Sequence, residues 1–384
     1  MPVNSHPYPS PTFAFPDLTP PLPIELVGRF GEFQRIIQVL NRDGDLLIVG
    51  VPGSGRRRLI RLAARQVSAF VLEVDCIRVT DGIRFIHLLC ESINHRFNSR
   101  TAVHIIDQWI SQLEPGLFRR VLRPEDDTPL IKPIHDLSRE QLWAAFECLL
   151  RLPQLLAETL ERRVVLILQS FPHIRTWDRD RQWETLLRRE IKQQTHVSYA
   201  LVATIAETTI LSNMDNLDVV KLGPLADDIL GDWVEATLLE MGLSFADHAT
   251  LIRFLEVVRG HAGDAVMLVR QLTRFMLPST SGLKISHQCL EQVIHDLLVD
   301  ISGTFESFLL LLPASQVQLL ECLSLDPTDK PQSKEYIQRH GLSRGGSLQG
   351  ALVGLQQKGL IYGAEYGYRV ALPLFSLWIQ KYLK

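Results

Sequence analysis

A glycine-rich segment that follows a short apolar run constrains the fold of this chain more than any other feature. Residues 45–49 (DLLIV) are almost wholly apolar, which is typical of a strand buried on both faces. The next segment, GVPGSGRR, has the glycine spacing of G-x-x-x-x-G-K-[ST] and precedes a helical pattern. Such glycines let successive backbone N–H groups point into one concavity, where the helix N-terminus adds partial positive charge. The sequence therefore predicts a phosphate-binding loop with these candidate residues: Gly50, Gly53, Ser54, Gly55, Arg56 and Arg57.

Two residues of this loop differ from the pattern at the positions that serve a magnesium-bound phosphate. Arg56 stands where a lysine normally reaches the β- and γ-phosphates, and its planar fork is not equivalent to a compact ammonium. Arg57 stands where a serine or threonine offers an oxygen to Mg²⁺, whereas a guanidinium has no lone pair to offer. We therefore expect no metal ion at this loop.

The second segment that would serve the metal is also altered. Residues 164–168 (VVLIL) are the candidate for the buried strand that carries it. The usual pattern continues with Asp and Glu, which hold the metal and activate the attacking water, but this chain has Gln169 and Ser170. Loss of a general base alone typically costs about 10²–10⁴ in rate. We therefore expect no catalytic residues, no efficient nucleotide hydrolysis and no enzyme.

Apolar runs that alternate with helical patterns predict an α/β domain over residues 24–222, with a parallel sheet flanked by helices. Within it, residues 96–138 are predicted to form an irregular insertion, because prolines are scattered through them. Residues 223–305 are predicted to form an all-α lid without strands. Three helical patterns and two short β runs predict a winged helix over residues 306–384. Residues 1–23 hold eight prolines and are predicted to be an extended tail, either floppy or docked as a strap on this chain or a neighbour.

Composition narrows the partners and the compartment. The net charge of −3 predicts no strong general attraction to nucleic acid or membrane. No apolar run approaches the roughly 20 residues that a membrane span needs. The five cysteines form no CxxC pair, which argues against a zinc site or a disulfide scaffold and favours a reducing, cytoplasmic location.

Beyond the loop, the chain resembles the AAA+/STAND P-loop ATPases that end in a winged helix. Similar groups are the archaeal-type predicted ATPases, the origin-recognition initiators and the AAA+ regulators of transposition. The segment that holds Val27, Gly28 and Arg29 resembles the family motif that lies near the adenine. In this comparison the loop and residues 164–171 correspond to degenerate Walker A and Walker B motifs. The resemblance implies ATP or ADP as the ligand, and the altered residues imply binding without Mg²⁺; the alternative is that no cofactor is bound.

Two more segments resemble the sensors of that family. Thr204 follows residues 199–203 at the position of the polar γ-phosphate sensor. His261, in the segment GHAGDA, lies where the lid carries the second sensor, which implies a phosphate contact; a turn histidine with local hydrogen bonds is the alternative. Initiators often have an arginine directly after Gly-Asp-Ala, and this chain has Val266 there.

Two groups of arginines leave alternatives open. The first comprises Arg56, Arg57, Arg58, Arg61 and Arg65. It is either a solvated helix face or a contact for an anion or for the acids of a partner. The second, Arg188 and Arg189, either completes a neighbouring subunit's site or forms an exposed helix end.

The predicted winged helix is basic, and this raises the question of DNA. Residues 331–384 carry an excess of five positive charges on an otherwise acidic chain. The expected recognition helix, residues 346–358, offers only Lys358 and glutamines, which is little for binding driven by phosphates. The candidate contacts to DNA or to a protein are Arg344, Lys358 and Arg369. The alternative is a module that packs on the lid or docks proteins.

Three functional hypotheses follow. The first is a catalytically degenerate relative of these ATPases that acts as a scaffold or regulatory subunit for proteins, such as an active ATPase or its own copies. The second is a DNA-binding protein of the initiator or transposition-regulator type that uses bound ATP as a structural ligand. The third is an active ATPase with unusual residues. None of the three involves a membrane.

Overall fold

The computed structural model describes residues 24, 26–113, 116–122, 129–134, 136–207, 217–276, 283–343 and 345–383. The predicted tail over residues 1–23 and the candidate residue Arg344 lie outside these residues. Among the described helices, none is long and apolar enough to cross a membrane.

Strands and helices are numbered along the chain. The strands are β1 (Asp45–Gly50), β2 (Phe70–Asp75), β3 (Phe118–Leu122), β4 (Pro129–Pro133), β5 (Val164–Gln169), β6 (Val197–Ala203), β7 (Leu217–Leu222), β8 (Leu243–Phe245) and β9 (Leu283–Ile285). The helices of the first half are α1 (Phe30–Asn41), α2 (Arg56–Gln66), α3 (Gly82–Arg96), α4 (Arg100–Gln112), α5 (Arg139–Thr159) and α6 (Gln182–Gln193). Those of the second half are α7 (Asp227–Glu240), α8 (His248–Val258), α9 (Ala262–Met276), α10 (His287–Asp300), α11 (Ser302–Leu310), α12 (Ala314–Leu325), α13 (Lys334–His340), α14 (Gly346–Gln357) and α15 (Pro373–Tyr382).

A five-stranded parallel sheet with helices on both faces forms the first half, as predicted. Its order is β2-β5-β6-β1-β7. Alternate residues of β1 enter different cores: Leu47 and Val49 pack with α3, α5 and α6, whereas Leu46 and Ile48 pack with α1 and α2. All four side chains are fully buried, which explains the unbroken apolar run of this strand.

The segment 96–138 contains regular structure, so the prediction of an irregular insertion was wrong. Ser99 caps α4 by accepting from the Ala102 N–H, and Trp109 of this helix is buried. Strands β3 and β4 then form an antiparallel ladder. The Asn94 side chain fastens β4 to α3, because it donates to the Ile131 carbonyl (2.9 Å) and accepts from the Ile131 N–H (3.0 Å). Two of the four prolines that suggested irregularity, Pro129 and Pro133, lie at the two ends of β4, where an edge strand tolerates them.

The region after residue 222 is mainly helical, with one exception to the prediction. Strands β8 and β9 form a short parallel pair between helices of the lid. Each strand has three residues, which is too short for an alternating pattern to stand out in the sequence.

The lid and the last region share one apolar core. It runs from Leu225 and Phe254 in the lid to Leu320, Leu355 and Trp378 near the C-terminus. Helices α12, α13 and α14 precede a turn region in which the predicted hairpin is reduced to an isolated bridge between Ile361 and Val370. A second bridge joins Tyr368 of this region to Thr328, which lies between α12 and α13. Because the core is continuous, the last region is packed firmly on the lid.

Candidate functional site

The predicted phosphate loop joins β1 to α2 at the carboxyl end of the central sheet. Gly53 and Gly55 have φ values of 81° and 88°, in the left-handed region that favours glycine. Gly55 is the residue directly before α2, so the first N–H groups of that helix face the loop. The loop therefore has the backbone conformation that its glycine spacing predicts.

A cavity of about 340 Å³ opens beside the loop. The loop and the first turn of α2 contribute Gly53, Gly55 and residues 56–58 to its lining. The opposite wall comes from α9, and Gln169 and Ile24 complete the lining. Within the described part of the chain no carboxylate lines this cavity, although three arginines of the loop do.

Arg56 lies deep in the site. Its guanidinium donates to the carbonyl oxygen of Ala203, the last residue of β6. Burial lowers the pKa of Arg56 from its usual value to about 10. The guanidinium is therefore a desolvated cation whose described hydrogen bond goes to a neutral acceptor.

Arg57 stands at the predicted magnesium position but pairs with an acid of the chain itself. Arg57 and Arg61 both form ion pairs with Glu73 of β2. These contacts occupy Glu73 and hold two members of the arginine cluster on the sheet. Arg57 and Arg61 of the arginine cluster therefore contact an acid of the same chain, Glu73.

Gln169 and Ser170 lie at the carboxyl end of β5, the strand that was predicted to carry the second magnesium-binding segment. Gln169 is the last residue of β5 and lines the cavity, and its side-chain nitrogen is buried without a hydrogen-bond partner among the described residues. Ser170 has a φ of 50° and starts a 3₁₀ turn. In the strand register Asp75 lies opposite Gln169, but its carboxylate accepts from the Ile77 N–H and does not line the cavity. Within the described residues no group of three or more His, Cys, Asp or Glu could hold a metal ion.

The predicted adenine-side residues lie outside the lining of this cavity. Val27 and Arg29 are buried, and the Arg29 side chain contacts the Gly223 carbonyl and Glu32. At Gly28 a Cβ atom would lie 3.1 Å from Ile229 of α7. The three residues therefore join the sheet domain to the start of the lid.

Thr204 contacts the C-terminal region and does not line the cavity. Val49 pairs with Ala203 in the sheet, which brings the residue after β6 next to the phosphate loop. The Thr204 hydroxyl donates to the Gln357 carbonyl of α14 at 3.2 Å. The predicted sensor position is thus part of a domain contact in this structure.

His261 joins three regions of the chain. Its Nε2 donates to the Pro52 carbonyl of the phosphate loop (2.7 Å), and its Nδ1 lies 2.9 Å from an Asp264 carboxylate oxygen. The other Asp264 oxygen accepts from the Leu374 N–H of α15 at 2.9 Å. Burial lowers the pKa of His261, but the Asp264 carboxylate and the Pro52 carbonyl raise it by more, so the net pKa is above its ordinary value. His261 therefore does more than make local turn contacts, since it bonds the loop directly.

The sequence interpretation missed Arg270, which lines the cavity from α9. It lies four residues after Val266, the position where initiators carry an arginine, and Val266 lines the cavity too. Residues four apart share one face of a helix, so this spacing was the signal that could have identified Arg270. Among the described residues Arg270 makes no ion pair.

The candidate DNA contacts that the structure describes have partners within the chain. Lys358 donates to the Gln316 side chain at 3.3 Å. The Arg369 guanidinium lies 5.3 Å from the centre of the Tyr362 ring. The outer face of α14 is uncharged and includes Ser347, Gln349 and Val353, all exposed.

The predicted arginines before β6 also pair within the chain. Arg188 bonds the buried Glu184 at 2.6 Å, and Arg189 pairs with Glu147 at 3.0 Å. Arg189 is half exposed and Arg188 less so. The two arginines therefore lie within α6, which continues to Gln193, and not at a helix end, and their ion pairs are formed within the single chain.

Comparisons with known proteins agree with this architecture. Residues 303–381 match the family model described as "Probable winged helix domain". A search of curated proteins gives no significant match. Among solved structures the chain is similar to the Walker-type ATPase paby2304 of Pyrococcus abyssi, with a TM-score of 0.61 and 14% identity over 92% of this chain and 95% of that one.

Weaker similarities accompany this match. The Orc1 protein of Aeropyrum pernix in complex with DNA has a TM-score of 0.49 and 14% identity, over 96% of this chain and 95% of that one. Cdc6p of Pyrobaculum aerophilum has a TM-score of 0.47 and 14% identity, over 98% of each chain. From the sheet topology, the match to the Pyrococcus ATPase and the family model, we conclude that this chain has the fold of the P-loop ATPases, followed by a helical region and a winged helix domain.

Proposed function

We propose that this protein is a non-hydrolysing regulatory protein whose phosphate loop binds nucleotide phosphates without Mg²⁺. The observation that carries the proposal is the composition of the cavity beside the loop. Its polar side chains are arginines and Gln169, with no carboxylate among the described lining residues. Magnesium requires oxygen ligands and usually carboxylates, whereas phosphates are bound well by guanidinium groups.

The same residues argue against hydrolysis. A water molecule that attacks a phosphate needs a group to orient it or accept its proton. Gln169 and Ser170 are not basic near neutral pH, and Arg57 is paired with Glu73. The metal ion and the general base both serve the attack of water on the phosphate. Because this chain lacks the usual residues for both, we expect turnover far below that of an ordinary ATPase.

Binding is supported by the state of Arg56. A buried guanidinium with a lowered pKa gains stability when an anion comes close, because the anion compensates its desolvation. The loop's N–H groups and the start of α2 act on the same volume. ATP and ADP are the proposed ligands, and the winged helix that touches the loop is the element that would transmit their binding.

Measurement of phosphate release tests the absence of hydrolysis. Purified protein with ATP and Mg²⁺ should release phosphate no faster than the Arg56→Ala variant does. Metal-dependent turnover in the wild type that Arg56→Ala abolishes would refute the proposal. A trace contaminating ATPase is recognised because it is equally active in both preparations.

The regulatory role requires protein partners, either a different ATPase or further copies of this chain. Exposed apolar side chains at the end of α11 support such contacts, since Leu310 and Leu311 are 86% and 80% exposed. Static light scattering separates the two kinds of partner. If the protein is an oligomer that the double variant Leu310→Ser, Leu311→Ser dissociates, the partners are copies of this chain. If the protein is a monomer at all concentrations, the proposed partner is a different protein.

A second candidate function is DNA binding by the winged helix, as in an initiator. The match over residues 303–381 and the exposed outer face of α14 favour it. Base contacts from Ser347 and Gln349 are chemically suitable, although few unpaired cations flank them. A mobility shift with duplex DNA at two salt concentrations tests it: binding that weakens steeply with salt supports this candidate, and no shift at low salt rejects it.

A further inference from the structure

We propose that this cavity recognises the phosphate chain of its ligand and does not read the base. The inference rests on the proposed function, because it names the ligand class of the same site. The preferred ligand is a metal-free triphosphate group, whether it belongs to ATP, to GTP or to inorganic tripolyphosphate.

The residues that would hold a base are engaged elsewhere. Arg29 is 6% exposed and its side chain bonds Gly223 and Glu32. Gly28 packs closely on Ile229, so the lid covers this segment. With Arg29 engaged in this way, the side chains of residues 27–29 offer no hydrogen bond to the edge of a base.

The size of the cavity agrees with a phosphate chain. At about 340 Å³ it lies at the lower end of the range for small-molecule pockets. Its apolar lining is limited to Ile24, Ala262 and Val266, and no aromatic ring is among the described lining residues to stack on a base.

Cations reach the cavity from two sides. Arg56 and its neighbours stand at the start of α2, and Arg270 faces them from α9. A triphosphate carries several negative charges along its length, so cations on opposite walls contact different phosphates at the same time. Arg270 makes no ion pair among the described residues and can engage the ligand without losing an internal partner.

Gln169 supplies an independent indication of a ligand with acceptor oxygens. Its side-chain nitrogen is buried and has no partner among the described residues, although a buried donor normally finds one. A phosphate oxygen would accept this hydrogen bond, whereas a divalent cation would not. The same buried donor therefore favours phosphate and disfavours a metal ion.

Isothermal titration calorimetry in EDTA tests base recognition. The intact protein is titrated with ATP, GTP and inorganic tripolyphosphate. We expect dissociation constants that agree within about threefold, or less than 1 kcal/mol. A site that hydrogen-bonds a base rejects the wrong one far more strongly, so an ATP preference above about tenfold overturns the inference and leaves the proposed function intact. If none of the three binds, the proposed function and this inference both fail.

The role of Arg270 is tested with a matched control on the same helix. Arg270→Ala should weaken tripolyphosphate binding about tenfold or more, because a charge-assisted hydrogen bond is lost. Arg274→Ala removes the same charge one turn further along, outside the cavity lining, and should leave binding unchanged. Equal effects of the two variants would mean that Arg270 acts only through general charge, and this would refute its assignment.

Discussion

The two sides of the phosphate loop differ in what covers them. On one side an arginine-lined cavity opens beside Gly53 and Gly55. On the other side the C-terminal region packs on Val51 and Pro52, through Tyr362, Ala371 and the turn that holds Gly359. The open side presents cationic side chains to the cavity, whereas on the covered side the predicted sensor residues Thr204 and His261 make domain contacts. Substitutions on the covered side should therefore change stability, and those on the open side should change binding.

The largest effect is expected at the buried histidine of the covered side. At a pH below the raised pKa of the His261 ring, His261→Ala leaves the buried Asp264 carboxylate without its cation, which should cost about 3–5 kcal/mol. Thermal unfolding and hydrogen exchange at the Leu374 amide, whose bond goes to Asp264, measure this loss globally and locally.

The control for this prediction is another histidine with an acidic neighbour. His287 is 60% exposed and lies 4.0 Å from Glu291, so His287→Ala should change stability by less than about 0.5 kcal/mol. If His261→Ala is as mild as this control, the bond between the loop, the lid and α15 contributes nothing, and the distinction between the two sides is lost.

A smaller loss is expected where a glycine of the C-terminal region touches the loop. A Cβ atom at Gly359 would lie 2.8 Å from Pro52 and 3.2 Å from Thr204. Gly359→Ala should destabilise the protein by about 1–3 kcal/mol, because the contact becomes overpacked and the positive φ is strained. Thermal unfolding measures it.

Gly341→Ala separates the two causes. Gly341 has a φ of 59°, close to the 71° of Gly359, but no atom lies within 4 Å of its Cβ position. It therefore reports the backbone strain alone, and the difference between the variants is the contribution of domain contact. Equal losses would show that the C-terminal region does not press on the loop.

On the open side, Arg56→Ala should separate binding from stability. We expect a loss of about 1.5–3 kcal/mol in nucleotide binding, which is a charge-assisted contact, and a change in stability below about 1 kcal/mol. Calorimetry and thermal unfolding on the same preparation measure both. A variant that unfolds more readily but binds normally would reverse the assignment of the two sides.

The smallest effect is the pH dependence of the covered side. The pKa of His261 is raised above 6.5 in the folded protein, so its contribution is complete below that pH and is lost as the pH rises through the folded pKa. Wild-type stability should therefore decline on the alkaline side of pH 6.5 by more than that of His261→Ala. Urea unfolding at pH 6 and pH 9 compares them, and parallel pH profiles would contradict the protonated state of His261.

The parts of the fold that the sequence predicted are those with strong local patterns. Strands β1, β5 and β6 are buried on both faces and therefore have unbroken apolar runs, and the glycines of the loop require left-handed backbone. The edge strand β7 was missed because Asp218 and Lys221 interrupt its apolar pattern. Strands β3 and β4 were missed because prolines are scattered around them, and helix α4, which contains no proline, was missed because it was assigned to the same irregular segment.

The site was predicted only in part, for a different physical reason. Gln169 and Arg56, which line the cavity, could be predicted from the sequence because each belongs to one continuous segment, Gln169 to β5 and Arg56 to the phosphate loop. The Thr204 contact with Gln357 spans 153 positions and the His261 contact with Pro52 spans 209, and no local pattern reveals which of two surfaces a side chain faces. Arg270 could have been predicted from its four-residue spacing from Val266. It was missed because the family pattern has its arginine at the position of Val266 itself.

Whether a divalent metal ion enters the nucleotide site is tested most directly with Mn²⁺, which substitutes for Mg²⁺ and relaxes water protons. The relaxation rate is measured for Mn²⁺ with ATP, before and after addition of the protein. We predict no enhancement, because no carboxylate is among the described lining residues of the arginine-lined cavity, and the neutral amide oxygen of Gln169 is a poor ligand for a hard cation. A clear enhancement that excess ATP reverses would place Mn²⁺ in the site and contradict the account.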